Sequence, residues 1–522
     1  MVGVTRWFAK IGRWQPWLRA HREATQPGAT DANPWPLSMP ILAWNEEEVF
    51  RLADAVCGVQ VFGTTGSGKS TGSVAALLRA YLRNQFGMML LTVKPDDAAT
   101  YRRLCAEAGR SADVVMLGPL HDASFNFISE AALGSAGLIG NLTAMLSTVS
   151  RIALGGEHGG GREDGRFWML MESRLLTCCA ELLIRAGEPV TTLGLERLVT
   201  GIPADREQVA DGGWRERSFV YACLREAELD VSGPDDETEF RRLCDYFLLE
   251  LATLSSRTKS TVQASATALL DMFNRPVIRK LLSAPQPSFD MSMLQRGKIL
   301  IVDCPVLVHQ SMGRLVQLVL KHCFQLAQSR RDVRASPRPV ALVVDESHLL
   351  TDLEHDAAFQ TTARGTRTCT VYATQSISNY LGEHGDGSAA VEARVHALLT
   401  NLACHLFHQT TDTKTVEYAQ ALFGKRRQLL MNGGMNQRQD DWASAALGFG
   451  GPPPGRSAGF SEHVDWMVQA SDFLDLARGG PDFGWTIEAL LYQGGKTFPA
   501  TNRPFLPVRF AQHPDTDMRR GA

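Results

Sequence analysis

Long hydrophobic runs are missing from this chain of 522 residues. No apolar stretch approaches 18 residues, so no transmembrane helix is predicted. The first 22 residues lack a continuous hydrophobic core, which excludes a secretory signal. The ten cysteines are scattered, and none forms a CxxC pair or joins a Cys/His ligand set. That pattern excludes a zinc site and predicts reduced, buried thiols of a cytosolic protein. A surplus of one charge is also missing: 53 basic against 56 acidic residues leave a net charge of −3. The chain is no bulk polycation, so nucleic acid would meet a local patch or a pore. Lysine is scarce, ten against 43 arginines.

What is present is a globular composition, with 44% hydrophobic and 21% charged residues. It excludes disorder, collagen and coiled coil for the chain as a whole. The length predicts three or four units, or one large domain with an insertion. Residues 1–40 read as a tail and linker. Trp7, Phe8, Trp14, Trp17 and Leu18 stand among Arg6, Lys10, Arg13, Arg19 and Arg22. This suits an interfacial membrane helix, or a tail docked on its own protein or on a partner.

From there the pattern predicts an α/β fold with a mainly parallel sheet. Strand candidates at Val56–Phe62, Met88–Val93 and Ala112–Leu117 are separated by helical periodicity. Residues 41–128 form the first part of a nucleotide-binding domain in this reading. Residues 129–285 read as an inserted all-α domain, broken by glycines at Gly155–Gly165 and Gly212–Gly213. Strands return over 286–432, at Lys298–Cys304, Val340–Val344, Thr368–Thr374 and Ala403–His408. Residues 433–460, with GGPPPG at 450–455, read as a loop, and 461–522 as the end of the nucleotide-binding domain and a tail.

The strongest motif is Gly63-Thr-Thr-Gly-Ser-Gly-Lys-Ser70, between a strand and a helix. It fits G-x-x-x-x-G-K-[ST], a loop whose backbone amides cradle phosphates at a helix N-terminus. Gly63, Thr64, Thr65, Gly66, Ser67 and Gly68 form the cradle. Lys69 is expected at the β- and γ-phosphates of ATP, Ser70 on Mg2+, and Thr71 beside the α-phosphate. A second motif, Val340-Ala-Leu-Val-Val-Asp-Glu346, is an apolar strand ending in two acids. Asp345 would hold Mg2+ through water, and Glu346 would polarise the attacking water. Gln375, at the tip of the next strand, suits a γ-phosphate sensor or a strand-end cap. Arg364 and Arg367, between Glu346 and Gln375, suit a finger acting on a neighbouring subunit or a solvated face. Arg257, Lys259, Arg275, Arg279 and Lys280 suit a DNA-facing surface or a solvated helix face, and Phe167 and Trp168 read as core.

Together these residues resemble the type IV coupling proteins of the TraG/TraD class, in the FtsK/HerA-like branch of P-loop motors. The resemblance covers about residues 50–510. It rests on Val61–Ser70, Leu91-Thr-Val-Lys-Pro-Asp96, Ser124-Phe-Asn-Phe127, Phe167-Trp168, Phe289–Val302, Val343–Glu346, Gly365 and Ala373-Thr-Gln375. It implies a RecA-like domain with an inserted all-α domain, and a homo-hexameric ring with nucleotide between subunits. It implies ATP hydrolysis, binding of single- or double-stranded DNA, and relaxosome or secretion-system partners. It implies that the arginine acting in trans is Arg364. Most such proteins carry transmembrane helices before the ATPase domain. This sequence shows none, so a cytoplasmic protein is expected, reaching the inner membrane through a partner or the N-terminal tail. Two alternatives are a receptor for protein effectors that uses ATP for assembly, and a soluble HerA-like motor in repair or phage defence.

Overall fold

The computed structural model describes residues 33–132, 145, 148–149, 163–385, 388–435 and 456–512. The basic and aromatic tail, the GGPPPG run and most of the expected break at Gly155–Gly165 lie outside the described residues, and the last three residues of that break open the helix Glu163–Arg185.

Apolar strands that alternate with helices must bury both faces, and here they do so in one nine-stranded sheet. The strands are β3 (Val59–Phe62), β4 (Gly87–Leu91), β5 (Val114–Leu117), β6 (Ile299–Val302), β7 (Val340–Val344), β8 (Thr368–Thr374), β9 (Cys404–Phe407), β12 (Thr486–Gln493) and β13 (Phe505–Ala511). Their order is β13-β12-β9-β3-β8-β7-β4-β6-β5. The seven from β9 to β5 are parallel, and β12 runs antiparallel to both β9 and β13. The expected α/β class with a mainly parallel sheet is the one observed.

Side chains alternate across this sheet between two cores. Val59, Val61, Met88, Leu90, Ile299, Ile301, Ala341 and Val343 pack on one face. Phe62, Met89, Leu91, Leu300, Val302, Leu342 and Val344 pack on the other, continuous with the apolar residues of the helices between β5 and β6. Among the described residues no helix is long and apolar enough to cross a membrane. All ten cysteines are free, and eight of them are buried.

Some elements differ from the sequence reading. Two short strands, β1 (Pro40–Ala43) and β2 (Val49–Arg51), pair at the start of the stretch 41–128, where the first strand was expected only at Val56. β10 (Lys425–Met435) and β11 (Arg456–Trp466) pair antiparallel, so the ends of the expected loop 433–460 belong to a two-stranded ribbon. Such polar, glycine-containing strands carry no two-residue hydrophobic period to announce them. Phe167, expected in the core, is 50% exposed, while Trp168 packs partly against the core. Neighbours on a helix point about 100° apart, so only one of the two can face inward.

The helices between β5 and β6 meet the sheet through two chain segments that run side by side. Asn126 bridges Ser283 in antiparallel fashion. The Ala284 amide donates to Phe125 O at 3.0 Å, and the Ser288 amide to Ser124 O at 3.0 Å. Asn126 is 1% exposed and spends its whole amide on this joint. Its Nδ2 donates to Val190 O (2.9 Å) and Ala284 O (3.0 Å), and its Oδ1 accepts from the Ile128 and Ser129 amides, both at 3.0 Å. Asn126→Ala strands two buried carbonyls and two amides, so it should destabilise the chain by about 2–4 kcal/mol. The midpoint of urea denaturation measures this, and an unchanged midpoint would show the joint to be idle.

Candidate active site

Four strand tips converge at the C-terminal edge of the sheet, where parallel strands open a crevice for ligands. β3 ends at Phe62, and the chain turns through Gly63, Thr64, Thr65, Gly66, Ser67 and Gly68 into a helix. That helix opens with one wide π-turn over Ser70–Val74 and continues over Ala75–Arg83. Gly66 (φ 77°) and Gly68 (φ 84°) are left-handed, a conformation glycine adopts without strain. Gly68 also lies under Ile487 of β12, whose Cδ1 would stand 2.6 Å from an added Cβ. The loop is tied back by Thr64, whose amide donates to Gln409 O (3.0 Å) and whose hydroxyl donates to Gln409 Oε1 (2.7 Å). Thr65 and Thr71 are exposed, and Thr71 Oγ1 accepts from Gln512 Nε2 at 3.2 Å.

β7 lies two strands from β3, and Asp345 and Glu346 follow its last residue. Glu346 adopts φ 54°, a left-handed turn that is uncommon outside glycine and aims its carboxylate back over the loop. Lys69 Nζ then lies 3.2 Å from Glu346 Oε1, with both side chains nearly buried. Ser70 Oγ donates to Asp345 Oδ2 at 2.7 Å. The two motifs are thus brought together, although they stand some 275 residues apart in sequence. Gln375 follows β8, the strand between β3 and β7, and is half-buried at the same edge of the sheet.

Arg364 is not brought to this site. It is exposed and precedes β8, at the opposite edge of the sheet, roughly 20 Å away along a seven-residue strand. Arg367 is committed within the chain, donating to Trp35 O (2.8 Å) and Pro337 O (2.9 Å). Of the basic set considered for DNA, Lys259 is buried and donates to Pro203 O (2.9 Å) and Ala204 O (2.5 Å). Arg257, Arg275 and Lys280 are exposed, and Lys280 Nζ donates to His121 O at 2.6 Å.

Two residues with no site role assigned from the sequence are placed here by the fold, although Lys94 lies within the Leu91–Asp96 segment that carries the resemblance. Lys94 follows the tip of β4, the other neighbour of β7. Its Nζ lies 2.9 Å from Asp345 Oδ2 and 3.3 Å from Glu346 Oε1. Burial works against the Lys94 ammonium, but Asp345, Glu346 and Asp97 outweigh it, and its pKa is raised above the ordinary value. The signal was its position beside a strand tip. His408, after β9, supports the loop from behind. Its Nδ1 faces Glu488 O at 3.1 Å, which makes that nitrogen the donor. Its Nε2 lies 2.8 Å from Ser73 Oγ, and a Cβ on Gly63 would collide with the His408 side chain. Burial pushes the His408 pKa down to about 3.

The residues fit a magnesium nucleotide. Ser67 Oγ and Glu346 Oε2 are buried without a hydrogen-bond partner among the described residues, which leaves polar capacity beside the loop. The Gly66 Cβ position faces open space, as a phosphate-wrapping turn requires. Ser70 and Asp345 supply the oxygen donors that Mg2+ prefers.

Comparisons with known proteins agree with this geometry. The model of the family described as Type IV secretory system Conjugative DNA transfer matches residues 44–427. The bacterial conjugative coupling protein TrwBdeltaN70, in its unbound monoclinic form, aligns with a TM-score of 0.55 at 14% identity, over 94% of this chain and 92% of that one. Plasmid coupling protein TrwB in complex with ADP and Mg2+ aligns at 0.52 and 14%, over 94% and 92%. TrwB with the non-hydrolysable ATP analogue ADPNP aligns at 0.52 and 15%, over 94% and 93%. At these identities the likeness is one of fold. Comparison with curated proteins gave no match.

The neutral His408 makes a pH prediction. Its folded pKa of about 3 lies below the ordinary 6.5, so on acidification the unfolded chain takes up the proton first. Stability is therefore complete above about pH 6.5 and falls as pH drops toward 3, by up to about 1.4 kcal/mol per pH unit. Buried His405, lowered to about 4, acts in the same direction. Urea denaturation at pH 7 and pH 5 should show the loss, and His408→Gln should reduce its slope. Equal slopes would mean that His408 is charged in the folded chain.

Proposed function

Because the chain belongs to the type IV secretory system conjugative DNA transfer family, matched over residues 44–427, we propose that it is a coupling ATPase that drives DNA transfer. The observation that supports this most is the convergence of Lys69 and Ser70 on Glu346 and Asp345 at one sheet edge. Relatives of the same fold are described in complex with ADP and Mg2+ and with an ATP analogue.

In this reading a bound magnesium nucleotide supplies the phosphoanhydride and the Lewis-acid charge. The loop from Gly63 to Gly68 wraps the phosphates with its amides, Lys69 neutralises the β- and γ-phosphates, and Thr71 stands by the α-phosphate. Ser70 and Asp345 hold the metal. Glu346 takes a proton from the attacking water, for which its Oε2 has acceptor capacity to spare. Gln375, between the two motif strands, senses the γ-phosphate. Arg364 is exposed and remote from its own chain's loop, which suits a finger reaching a neighbouring copy in a homo-hexamer.

We place the nucleotide-binding unit at 41–128, 286–432 and 461–522, and the all-α unit at 129–285. DNA, single- or double-stranded, and relaxosome or secretion-system proteins are its partners. A cytoplasmic protein of this kind meets the inner membrane through a partner or the N-terminal tail.

ATP turnover with and without single- and double-stranded DNA tests the reading. DNA should raise turnover. Lys69→Ala should abolish it, and Glu346→Gln should lower kcat by roughly 100-fold or more while retaining nucleotide. Turnover that survives Glu346→Gln would remove the general base from this site. Arg364→Ala should be nearly inactive alone, yet regain activity when mixed with Lys69→Ala, because each supplies what the other lacks. Failure to complement would place the finger elsewhere.

A further inference from the structure

Lys94 has no part in the reading above, yet it touches both acidic residues of the site. Its Nζ and Ser70 Oγ address the same oxygen, Asp345 Oδ2, at 2.9 and 2.7 Å. It also shares Glu346 Oε1 with Lys69, at 3.3 and 3.2 Å. Two ammonium groups thus balance two carboxylates.

The backbone beneath Lys94 is fixed. Asp97 Oδ2 accepts from the Val93 and Lys94 amides, both at 2.8 Å, and the Leu307 amide donates to Val93 O at 3.0 Å. The side chain keeps a third of its surface in solvent, against a few per cent for Lys69, Asp345 and Glu346. It can leave the carboxylates by rotation about its stem, without unfolding anything around it. A divalent ion that takes Ser70 and Asp345 as ligands arrives beside an ammonium already bonded to the same carboxylate. Two cations there repel, and the lysine is the one that can retreat to water.

We propose that Lys94 is a resident counter-ion that Mg2+ must displace, so that it sets the metal concentration at which the site accepts nucleotide. This rests on the assignment of the site to a magnesium nucleotide. Lys94 acts as a positioning residue: it keeps the carboxylates apart from Lys69's full pull and in place before the metal arrives.

The test is a Mg2+ titration of the binding of a fluorescent ATP analogue by the full chain. Electron paramagnetic resonance of Mn2+ binding without nucleotide accompanies it. Lys94→Met and Lys94→Gln should lower the Mg2+ midpoint roughly five- to tenfold and tighten Mn2+ binding alone. Lys94→Arg, which keeps the charge, should stay within about twofold of wild type. Unchanged midpoints in both neutral variants overturn the inference. Raised midpoints overturn it too, because they make Lys94 a ligand of the nucleotide. If wild type binds no analogue at any Mg2+ concentration, the nucleotide assignment itself fails and the inference with it. Analogue binding by wild type with unshifted variants would sink only the role of Lys94.

Discussion

Two lysines and two carboxylates, in mutual contact and largely out of water, set the terms for the rest of this fold. Lys69, Asp345 and Glu346 are each about 5% exposed or less. An unpaired charge at such a site costs several kcal/mol, so each group requires its partners. The partners come from three strand tips, which the observed strand order brings within reach of one another. β3 delivers the lysine loop, β7 the acids and β4 the second lysine, with β8 between β3 and β7. Leu91 lies in register with Val344, so the residues just beyond β4 and β7 leave the sheet side by side. A slip of one residue would turn every side chain to the opposite face and part the charges.

Beneath the charges a buried polar chain joins the same elements. Tyr380 OH donates to Gln60 Oε1 of β3 at 3.1 Å and lies 2.6 Å from Ser347 Oγ, which donates to Ala373 O of β8 at 3.0 Å. Ser347 directly follows Glu346, and Tyr380 lies on the helix after Gln375. The lysine-loop strand, the acidic turn and β8 therefore share hydrogen bonds where no water is available as a substitute. Tyr380 is fully buried, and burial raises its pKa above the ordinary value, so its hydroxyl stays a neutral donor. Displacement of one tip strains the bonds of the other two.

Much of this could be read from the chain before its fold was known, and the boundary has a physical cause. The segment Gly63–Thr71 and the pair Asp345–Glu346 declare themselves locally, since each joins an apolar strand to the polar residues at its tip. Strands β4 and β7 announce themselves by short apolar runs, and β8 by its β-branched and aromatic residues. Lys94 was visible as a lysine after a strand, but its role depends on β4 lying next to β7, and strand order is not a local property. His408 and Gln409 brace the loop for the same non-local reason, through the pairing of β9 with β3. Lys259 carried the same charge as the arginines around it, and only the packing of its helix turned it inward. Arg364 could be placed before a strand, and hence at the far edge of the sheet, but no local pattern tells what such an exposed residue faces.

The doubled connection at Asn126 and Ser283 bears on how such a chain reaches its fold. β5 and β6 are hydrogen-bonded neighbours separated by roughly 180 residues, and closing a loop of that length costs entropy before any pairing repays it. The helices between them make their contacts mostly with one another. Once they have assembled, their two ends stand together, and the open chain between β5 and β6 shortens to about 25 residues, which lowers the closure cost by about 2 kcal/mol. Helices that fold before β6 pairs with β5 would therefore act as a splint, bringing the far edge of the sheet to its place at a lower entropic cost.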